Sequence, residues 1–266
     1  MLRTRVITAL ALLLVLLPAL FYLPPALWLA AVLAGLLVAA WEWARLARYD
    51  GMRMWVFVTA TGVAGALMLF AFPALVRATY GIAFLFWLIA VPLMFITAVR
   101  PGGLPAAAAG WCVLLPFAGA LADLRELGPW LLISIMALVW VADTAAYFGG
   151  RAFGSHKLAP SISPGKTWEG VVGAVVATGL YAAVNLYCDN PLLTGVSWWV
   201  AMLMVGGLLT AVGILGDLFE SAMKRSAGLK DSSQLLPGHG GVMDRIDSLT
   251  STLPVAALLL IWSGKL

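Results

Sequence analysis

Nine long apolar runs, separated by short interruptions, occupy almost the whole length of the chain. Each run has roughly 18 to 25 residues, the length that a helix needs to cross about 30 Å of hydrocarbon. The mean hydropathy of +1.00 exceeds what a soluble domain with a polar surface can show. The sequence therefore predicts an all-α, polytopic integral membrane protein with about nine transmembrane helices.

The predicted segments are helices because they are continuously apolar, whereas barrel strands alternate polar and apolar residues over about 10 positions. A helix also satisfies its own backbone hydrogen bonds in lipid. The first segment is interpreted as a retained anchor, and Pro24-Pro25 is predicted to reverse the chain. The segments are residues 6 to 23, 26 to 47, 54 to 72, 80 to 99, 106 to 123, 129 to 149, 168 to 187, 197 to 222 and 246 to 263.

Basic residues predict the side of the membrane on which each connection lies. With nine crossings, thirteen of the sixteen lysines and arginines fall on one side, and only Arg77, Arg125 and Lys265 fall on the other. Short loops rich in Lys and Arg stay in the cytoplasm. The N-terminus and both long polar loops, residues 150 to 167 and 223 to 245, are therefore predicted to be cytoplasmic.

Acidic residues concentrate in the C-terminal half, where eight of the twelve lie between Asp143 and Asp247. Residues 1 to 125 are accordingly interpreted as scaffold helices and residues 126 to 266 as the catalytic region. A charged residue at a helix centre costs about 2.5 to 3.5 kcal/mol on insertion scales, so such residues face protein or water and have partners. The acids of this half are expected to have such surroundings.

Two polar stripes at helical spacing place acidic groups on two helix ends. Residues three and four positions apart share one face of a helix. Two such ends, joined by a cationic loop, predict a common pocket, although acids that merely pair with nearby arginines are the alternative. The stripes are Asp217, Glu220, Ser221 and Lys224, and Asp244, Asp247, Ser248 and Ser251.

The chemistry of this acidic set favours a hard cation bound by oxygen. Mg²⁺ is typically held by one or two carboxylates together with substrate phosphates. Zinc would need histidine or cysteine ligands, and His156 and His239 lie in different loops without a nearby cysteine. The sequence therefore favours magnesium over zinc.

The loop from residue 223 to 245 has the composition of a phosphate cradle. Lys224, Arg225 and Lys230 supply cations, and the stretch from Pro237 to Gly241 allows close approach of backbone N–H groups. A glycine-rich turn that carries ordinary cytoplasmic positive charge is the alternative.

The other polar loop contains the string Gly165-Lys166-Thr167, which is not a Walker A loop. Position 160 is proline where that motif requires glycine, and no strand precedes it. Thr167 is instead predicted to cap the next helix, with Glu169 complementing its dipole. Lys166 remains available to a phosphate group.

A longer pattern runs through the 223 to 245 loop and its flanks: S-x-hydrophobic-K-R, four residues, K-D, a short step, then P-x-H-G-G-hydrophobic-x-D-R-hydrophobic-D. It resembles the signature of the phosphatidate cytidylyltransferases, also called CDP-diacylglycerol synthases. The resemblance covers the C-terminal half, and the N-terminal helices match only in being hydrophobic. The matching residues are Ser221, Lys224, Arg225, Lys230, Asp231, Pro237, His239, Gly240, Gly241, Asp244, Arg245 and Asp247.

The resemblance implies an enzyme of the bacterial inner membrane that converts CTP and phosphatidate to CDP-diacylglycerol and pyrophosphate. It also implies Mg²⁺, with a second metal ion left open, a homodimer and no nucleic-acid partner. Asp217 and Asp244 are expected to be the principal metal ligands, with Asp247 and Asp143 as further ligands or their neighbours. Lys224 joins Asp217, Asp244 and Asp247 in the expected catalytic set. The expected substrate-binding residues are Lys166, Ser221, Arg225, Lys230, His239, Gly240, Gly241 and Arg245.

Three other functions are compatible with parts of this pattern. A CTP-dependent polyprenol kinase would transfer the γ-phosphoryl group and leave CDP. An organic-anion transporter would show broken helices at the midplane and paired inverted halves, which this sequence lacks. An inactive scaffold would not need so many cations beside acids.

Overall fold

The computed structural model describes residues 2–187 and 207–266, and these form a bundle of helices with one small hairpin. The all-α class is confirmed. The elements are α1 Leu2–Tyr22, α2 Pro25–Leu46, α3 Gly51–Ala66 with a π-helical turn Leu67–Ala71, α4 Pro73–Leu85 with a π-helical turn Phe86–Ala90, α5 Val91–Ile96, α6 Gly103–Leu127, α7 Pro129–Phe153, β1 Lys157–Ala159, β2 Ser163–Thr167, α8 Trp168–Tyr187, α9 Thr210–Ala227 and α10 Met243–Trp262.

Six helical segments of the described residues are long and apolar enough to cross a bilayer. This confirms a polytopic membrane protein, while the number of nine crossings stays a prediction. The predicted segment 197 to 222 lies partly outside the described residues. The six segments are Pro25–Leu46, Gly51–Ala71, Pro73–Ile96, Gly103–Leu127, Pro129–Phe153 and Met243–Trp262.

Proline and glycine set several helix ends. Pro25 occupies the first turn of α2, where its missing N–H is not needed, so the chain reverses there as predicted. The predicted connection before residue 80 is wrong, because Pro73 begins α4 directly after the single non-helical residue Phe72. The predicted end at residue 222 is also wrong, because α9 continues until Gly228 caps it with a φ of +73°.

The connection between α7 and α8 contains an antiparallel hairpin that the sequence analysis missed. Lys157 lies opposite Thr167, and Ala159 lies opposite Ser163. Strands of three and five residues are too short to produce a clear alternating pattern. The Thr167 hydroxyl accepts a hydrogen bond from the Gly170 N–H at 3.2 Å, which confirms Thr167 as the cap of α8.

Helix α10 is the most enclosed element, with every side chain from Ser248 to Leu258 buried. It packs against α2, α4, α6, α7 and α9. Because α10 begins with the acidic residues of the signature, the surrounding helices fix the position of those acids in the bundle.

Helices α9 and α10 approach closely at Gly216. A Cβ atom there would lie 2.5 Å from the Ser251 Oγ and 2.7 Å from the Asp247 backbone oxygen, so only glycine fits without a shift. The Ser251 hydroxyl also donates to the Val212 carbonyl oxygen across the same interface at 2.8 Å. Small residues allow such backbone contact in membrane helices. The contact brings Asp217 and Asp247 to one level of the bundle.

The polar connections collect at one end of the bundle. The Thr8 hydroxyl of α1 donates to the Pro237 carbonyl oxygen at 2.9 Å, and the Arg48 guanidinium contacts the Ser226 carbonyl oxygen. The β-hairpin packs against α9 at the same end. The start of α1 and both long polar loops therefore lie at one end of the bundle, and the side of the membrane that this end faces stays a prediction.

Candidate active site

Lys224 joins the ends of two helices. Its Nζ lies 2.8 Å from Glu220 Oε2 on its own helix α9 and 2.6 Å from Asp244 Oδ1 on α10. The Lys224 side chain is 11% exposed, and the two carboxylates are less exposed still. Buried charges require such direct partners. The predicted convergence of the two acid-bearing helix ends is confirmed.

The charge state of Lys224 follows from these neighbours. Lys224 lies on α9, which is not among the six described segments that are long and apolar enough to cross a bilayer. Burial favours the neutral amine, but the Glu220 and Asp244 carboxylates outweigh it and raise the pKa of Lys224 above its ordinary value. The ammonium group therefore stays protonated at neutral pH and holds the two helices together.

Asp244 has both of its carboxylate oxygens engaged. Oδ1 contacts Lys224, whereas Oδ2 accepts hydrogen bonds from the Ser232 N–H at 2.9 Å, the Ser232 hydroxyl at 2.8 Å and the Gly241 N–H at 2.8 Å. Asp244 thus fixes the loop between α9 and α10 onto the start of α10.

Glu42 of α2 is a site residue that the sequence analysis missed. Its fully buried carboxylate accepts hydrogen bonds from the Val242 N–H at 2.9 Å, the Met243 N–H at 2.6 Å and the Ser233 hydroxyl at 2.5 Å, and Ser232 Oγ lies 3.1 Å from it. The first N–H groups of a helix lack partners within the helix. The Glu42 carboxylate is the acceptor for these N–H groups at the start of α10. The available signal was an acid within an apolar helix.

Gly240 and Gly241 lie where side chains would collide with this network. A Cβ atom on Gly241 would overlap the Ser232 hydroxyl and the Glu42 carboxylate, and Gly240 has a φ of +85°. The Gly241 N–H donates a hydrogen bond to Asp244, and the Gly240 N–H donates one to the Leu236 carbonyl oxygen at 3.1 Å. Close packing therefore accounts for both glycines, and their contact with phosphate stays a prediction.

Asp217 connects the hairpin to α9. Its Oδ2 lies 2.6 Å from Lys166 Nζ on β2, and its Oδ1 accepts a hydrogen bond from the Ser221 hydroxyl at 3.3 Å. The carboxylates of Asp143 and Asp247 both interact electrostatically with that of Asp217. Three of the four predicted metal ligands thus belong to one acidic cluster, formed by α7, α9 and α10.

Buried polar atoms without partners border this cluster. Within residues 2–187 and 207–266, Glu220 Oε1 and Ser248 Oγ are buried and accept or donate no hydrogen bond. Like charges held together, with an unsatisfied carboxylate oxygen beside them, fit a bound cation. Glu220 was not among the predicted site residues, and its position next to Lys224 includes it in the site.

The structure limits how a metal ion could be held. No group of three or more His, Cys, Asp or Glu side chains in the described part of the chain could hold a metal ion. The four predicted ligands therefore do not form a complete centre by themselves. This fits Mg²⁺, which takes one or two carboxylates and completes its shell with water and substrate phosphates. Asp244 suits it least, because its two oxygens already contact four donor groups, whereas Asp217 has one ion pair and one hydrogen bond of 3.3 Å.

A polar cleft of about 650 Å³ opens beside the loop between α9 and α10, a size that suits a small-molecule ligand. Lys230 and Arg245 line it, are exposed and form no ion pair with any described residue. His239 also lines the cleft, and its buried Nδ1 has no hydrogen-bond partner in the same part of the chain. Lys230 and Arg245 can bind the oxygens of an anionic ligand.

The other predicted substrate-binding cations are occupied by the protein. Lys166 is paired with Asp217, and the Arg225 Nε lies 3.5 Å from the Ile162 carbonyl oxygen of the hairpin. His156 also has a protein partner, since its ring Nδ1 lies 2.7 Å from Glu169 Oε1. Lys230 and Arg245 thus differ from Lys166, because neither of them forms an ion pair with a described residue.

Comparisons with known proteins extend over the whole chain. The profile described as "Cytidylyltransferase family" matches residues 3–262. A protein of Pseudomonas aeruginosa named phosphatidate cytidylyltransferase is 42% identical over 270 residues, covering 99% of this chain and 98% of that one. A protein of Haemophilus influenzae with the same name is 37% identical over 283 residues, covering 96% of each chain. The similarity therefore includes the N-terminal helices, contrary to the expectation that they match only in hydrophobicity.

Proposed function

The chain belongs to the cytidylyltransferase family, and from this premise we propose that it condenses CTP with phosphatidate to give CDP-diacylglycerol and pyrophosphate. The observation that carries the assignment to this site is the Lys224 to Asp244 contact of 2.6 Å. It joins the two halves of the signature beside the cleft that Lys230 and Arg245 line, and neither of these forms an ion pair with a described residue.

The reaction needs no covalent enzyme intermediate. A phosphate oxygen of phosphatidate attacks the α-phosphorus of CTP, a new P–O bond forms, and the bond from the α-phosphorus to the bridging oxygen breaks, so pyrophosphate leaves with the electron pair. Two polyanions must come together. Positioning and neutralisation of charge therefore supply most of the catalysis.

The free cations of the cleft are assigned to the substrates. Lys230 and Arg245 bind phosphate oxygens, and His239 lies beside them in the lining of the cleft. Lys166 and Lys224 act differently, because each is held by carboxylates. They fix Asp217 and Asp244 at the edge of the site.

The acidic cluster is assigned to Mg²⁺. Asp217 and Asp247 would hold the ion, with Asp143 next to them and a second ion not required. When bound, Mg²⁺ neutralises the charge that develops on the transferring and leaving phosphates. Asp244 contributes by accepting hydrogen bonds from the Ser232 and Gly241 N–H groups, which orders this part of the loop.

The cellular location of the reaction is proposed from the distribution of basic residues and from the similarity to bacterial proteins. Bacterial relatives and the cluster of basic residues at the site's end of the bundle support a place in the bacterial cytoplasmic membrane, with the site and the N-terminus facing the cytoplasm. A homodimer is the assembly that the family resemblance implies, and cross-linking in native membranes tests it.

Labelled substrate tests the reaction. Purified protein in mixed micelles with phosphatidate and Mg²⁺ is given CTP labelled at the α- or γ-phosphate. We expect α-label in lipid and γ-label in pyrophosphate. Asp217→Asn should abolish the transfer and its response to Mg²⁺, whereas the exposed Asp50→Asn should not. Label from the γ-position in lipid would support the lipid kinase, and no label in lipid would contradict both.

A further inference from the structure

We propose that Glu42, in the half of the chain interpreted as scaffold, is a positioning residue for the transfer reaction. This inference rests on the proposed function for its kinetic consequence, although not for its structural one. Glu42 lies on α2, does not line the cleft and is fully buried. It acts on the reaction through the groups that it holds.

The Glu42 carboxylate collects donors from two separate parts of the site. The Val242 and Met243 N–H groups belong to the start of α10, and the Ser233 hydroxyl belongs to the loop that borders the cleft. Hydrogen bonds to a charged acceptor are roughly twice as strong as neutral ones. One side chain of α2 therefore anchors both walls of the site.

This anchorage reaches Asp244 through one serine. The Ser232 hydroxyl lies 3.1 Å from Glu42 Oε2 and 2.8 Å from Asp244 Oδ2, and the Ser232 N–H also donates to Asp244. Asp244 in turn contacts Lys224. The rotamer of Asp244, and with it the position of Lys224, thus depends on Ser232, whose neighbour Ser233 donates to Glu42.

The sequence at the start of α10 explains why a distant residue is needed. A helix ordinarily caps itself with Ser, Thr, Asp or Asn at the preceding position, but here that position is Val242, which offers no side-chain acceptor. The cap comes from α2 instead. The spacing between α2 and α10 is therefore coupled to the geometry of the site.

The variant Glu42→Gln tests this role, because it keeps the size of the side chain but turns an NH₂ group toward N–H and O–H donors. We expect kcat to fall by about tenfold or more with both substrates saturating, since a displaced loop misplaces the reacting groups. Hydrogen exchange of the backbone from residue 232 to 243 should accelerate, while that of β1 and β2 should not. Glu126→Gln, the same change at an exposed position, is the matched control.

Two further variants keep the test decisive. Glu42→Asp retains the acceptor and should recover part of the lost turnover. Ser233→Ala removes one donor and should cause a smaller loss, and it decides the matter if Glu42→Gln does not fold. Wild-type turnover or unchanged exchange in the folded variants would overturn the proposal. If the wild-type protein transfers no cytidylyl group, the proposed function fails, and the exchange measurement still decides whether Glu42 orders the loop.

Discussion

Lys224 on α9 lies 2.6 Å from Asp244 on α10, and the same ammonium group lies 2.8 Å from Glu220. One cation thus neutralises two buried carboxylates at the point where the two helices meet. The arrangement makes the order of the site and the stability of the bundle depend on the same atom.

Replacement of this cation by a neutral chain of similar length should damage both properties. We expect Lys224→Met to lower the free energy of unfolding by about 3 to 5 kcal/mol, because it leaves buried carboxylates unpaired, and to abolish transfer. Thermal unfolding in detergent and label incorporation measure the two effects. Lys157→Met, at an exposed position of β1, should leave both unchanged. Equal stability of Lys224→Met and wild type would contradict the arrangement.

The same ion pair predicts a pH dependence. Burial favours the neutral amine, but the two carboxylates raise the pKa of Lys224 above 10.5 in the folded protein. A raised folded pKa gives stability that is complete below the unfolded pKa and is lost as pH rises through the folded pKa. The difference in melting temperature between wild type and Lys224→Met should therefore not decrease from about pH 7 to 9. A difference that shrinks steadily across this window would argue against the pair.

Gly216 should not accept a side chain. A methyl group would press on the Ser251 hydroxyl and on the Asp247 backbone oxygen, and overpacking costs about 1 to 3 kcal/mol. We expect Gly216→Ala to lower both the melting temperature and the turnover. Gly81→Ala, on α4, meets no atom within 4 Å and serves as the control. Wild-type behaviour of Gly216→Ala would show that the two helices are less closely packed than described.

Arg245 is expected to affect substrate binding but not the stability of the fold. It lines the cleft, is exposed and forms no ion pair with the residues that the structure describes. We expect Arg245→Gln to raise a substrate KM by about tenfold, because a charge-assisted contact with phosphate is lost. Its melting temperature should match wild type. The control is Arg53→Gln, which is exposed at the same end, and a matching KM in both variants would remove Arg245 from the site.

The length of the apolar runs predicted the all-α membrane fold class and most of the helices, because a bilayer imposes a similar length on every crossing. Helical spacing likewise predicted that the acids of α9 and α10 would face each other, and the Lys224 bridge confirms it. Both results depend on regular periodicity, which a single sequence displays directly.

The residues that were missed depend on contacts between distant segments. Glu42 is about 200 positions from Val242 and Met243, whose N–H groups donate hydrogen bonds to it. Nothing near Glu42 in the sequence indicates these partners. Glu220 looked like one member of a polar stripe, and its unsatisfied oxygen is visible only once the neighbouring helices are in place. The beginning of α4 was misplaced because Pro73 was counted as an interruption, whereas proline is favourable in a first turn.

The backbone contact at Gly216 has a mechanical consequence. Helices tilt to match bilayers of different thickness, and the closest backbone contact between two packed helices acts as the pivot of their relative tilt. Displacement grows with distance from the pivot, and Asp217 is the next residue along the chain. We therefore expect the carboxylates beside this contact to keep their separation in thin and thick membranes, while the far ends of the same helices move apart.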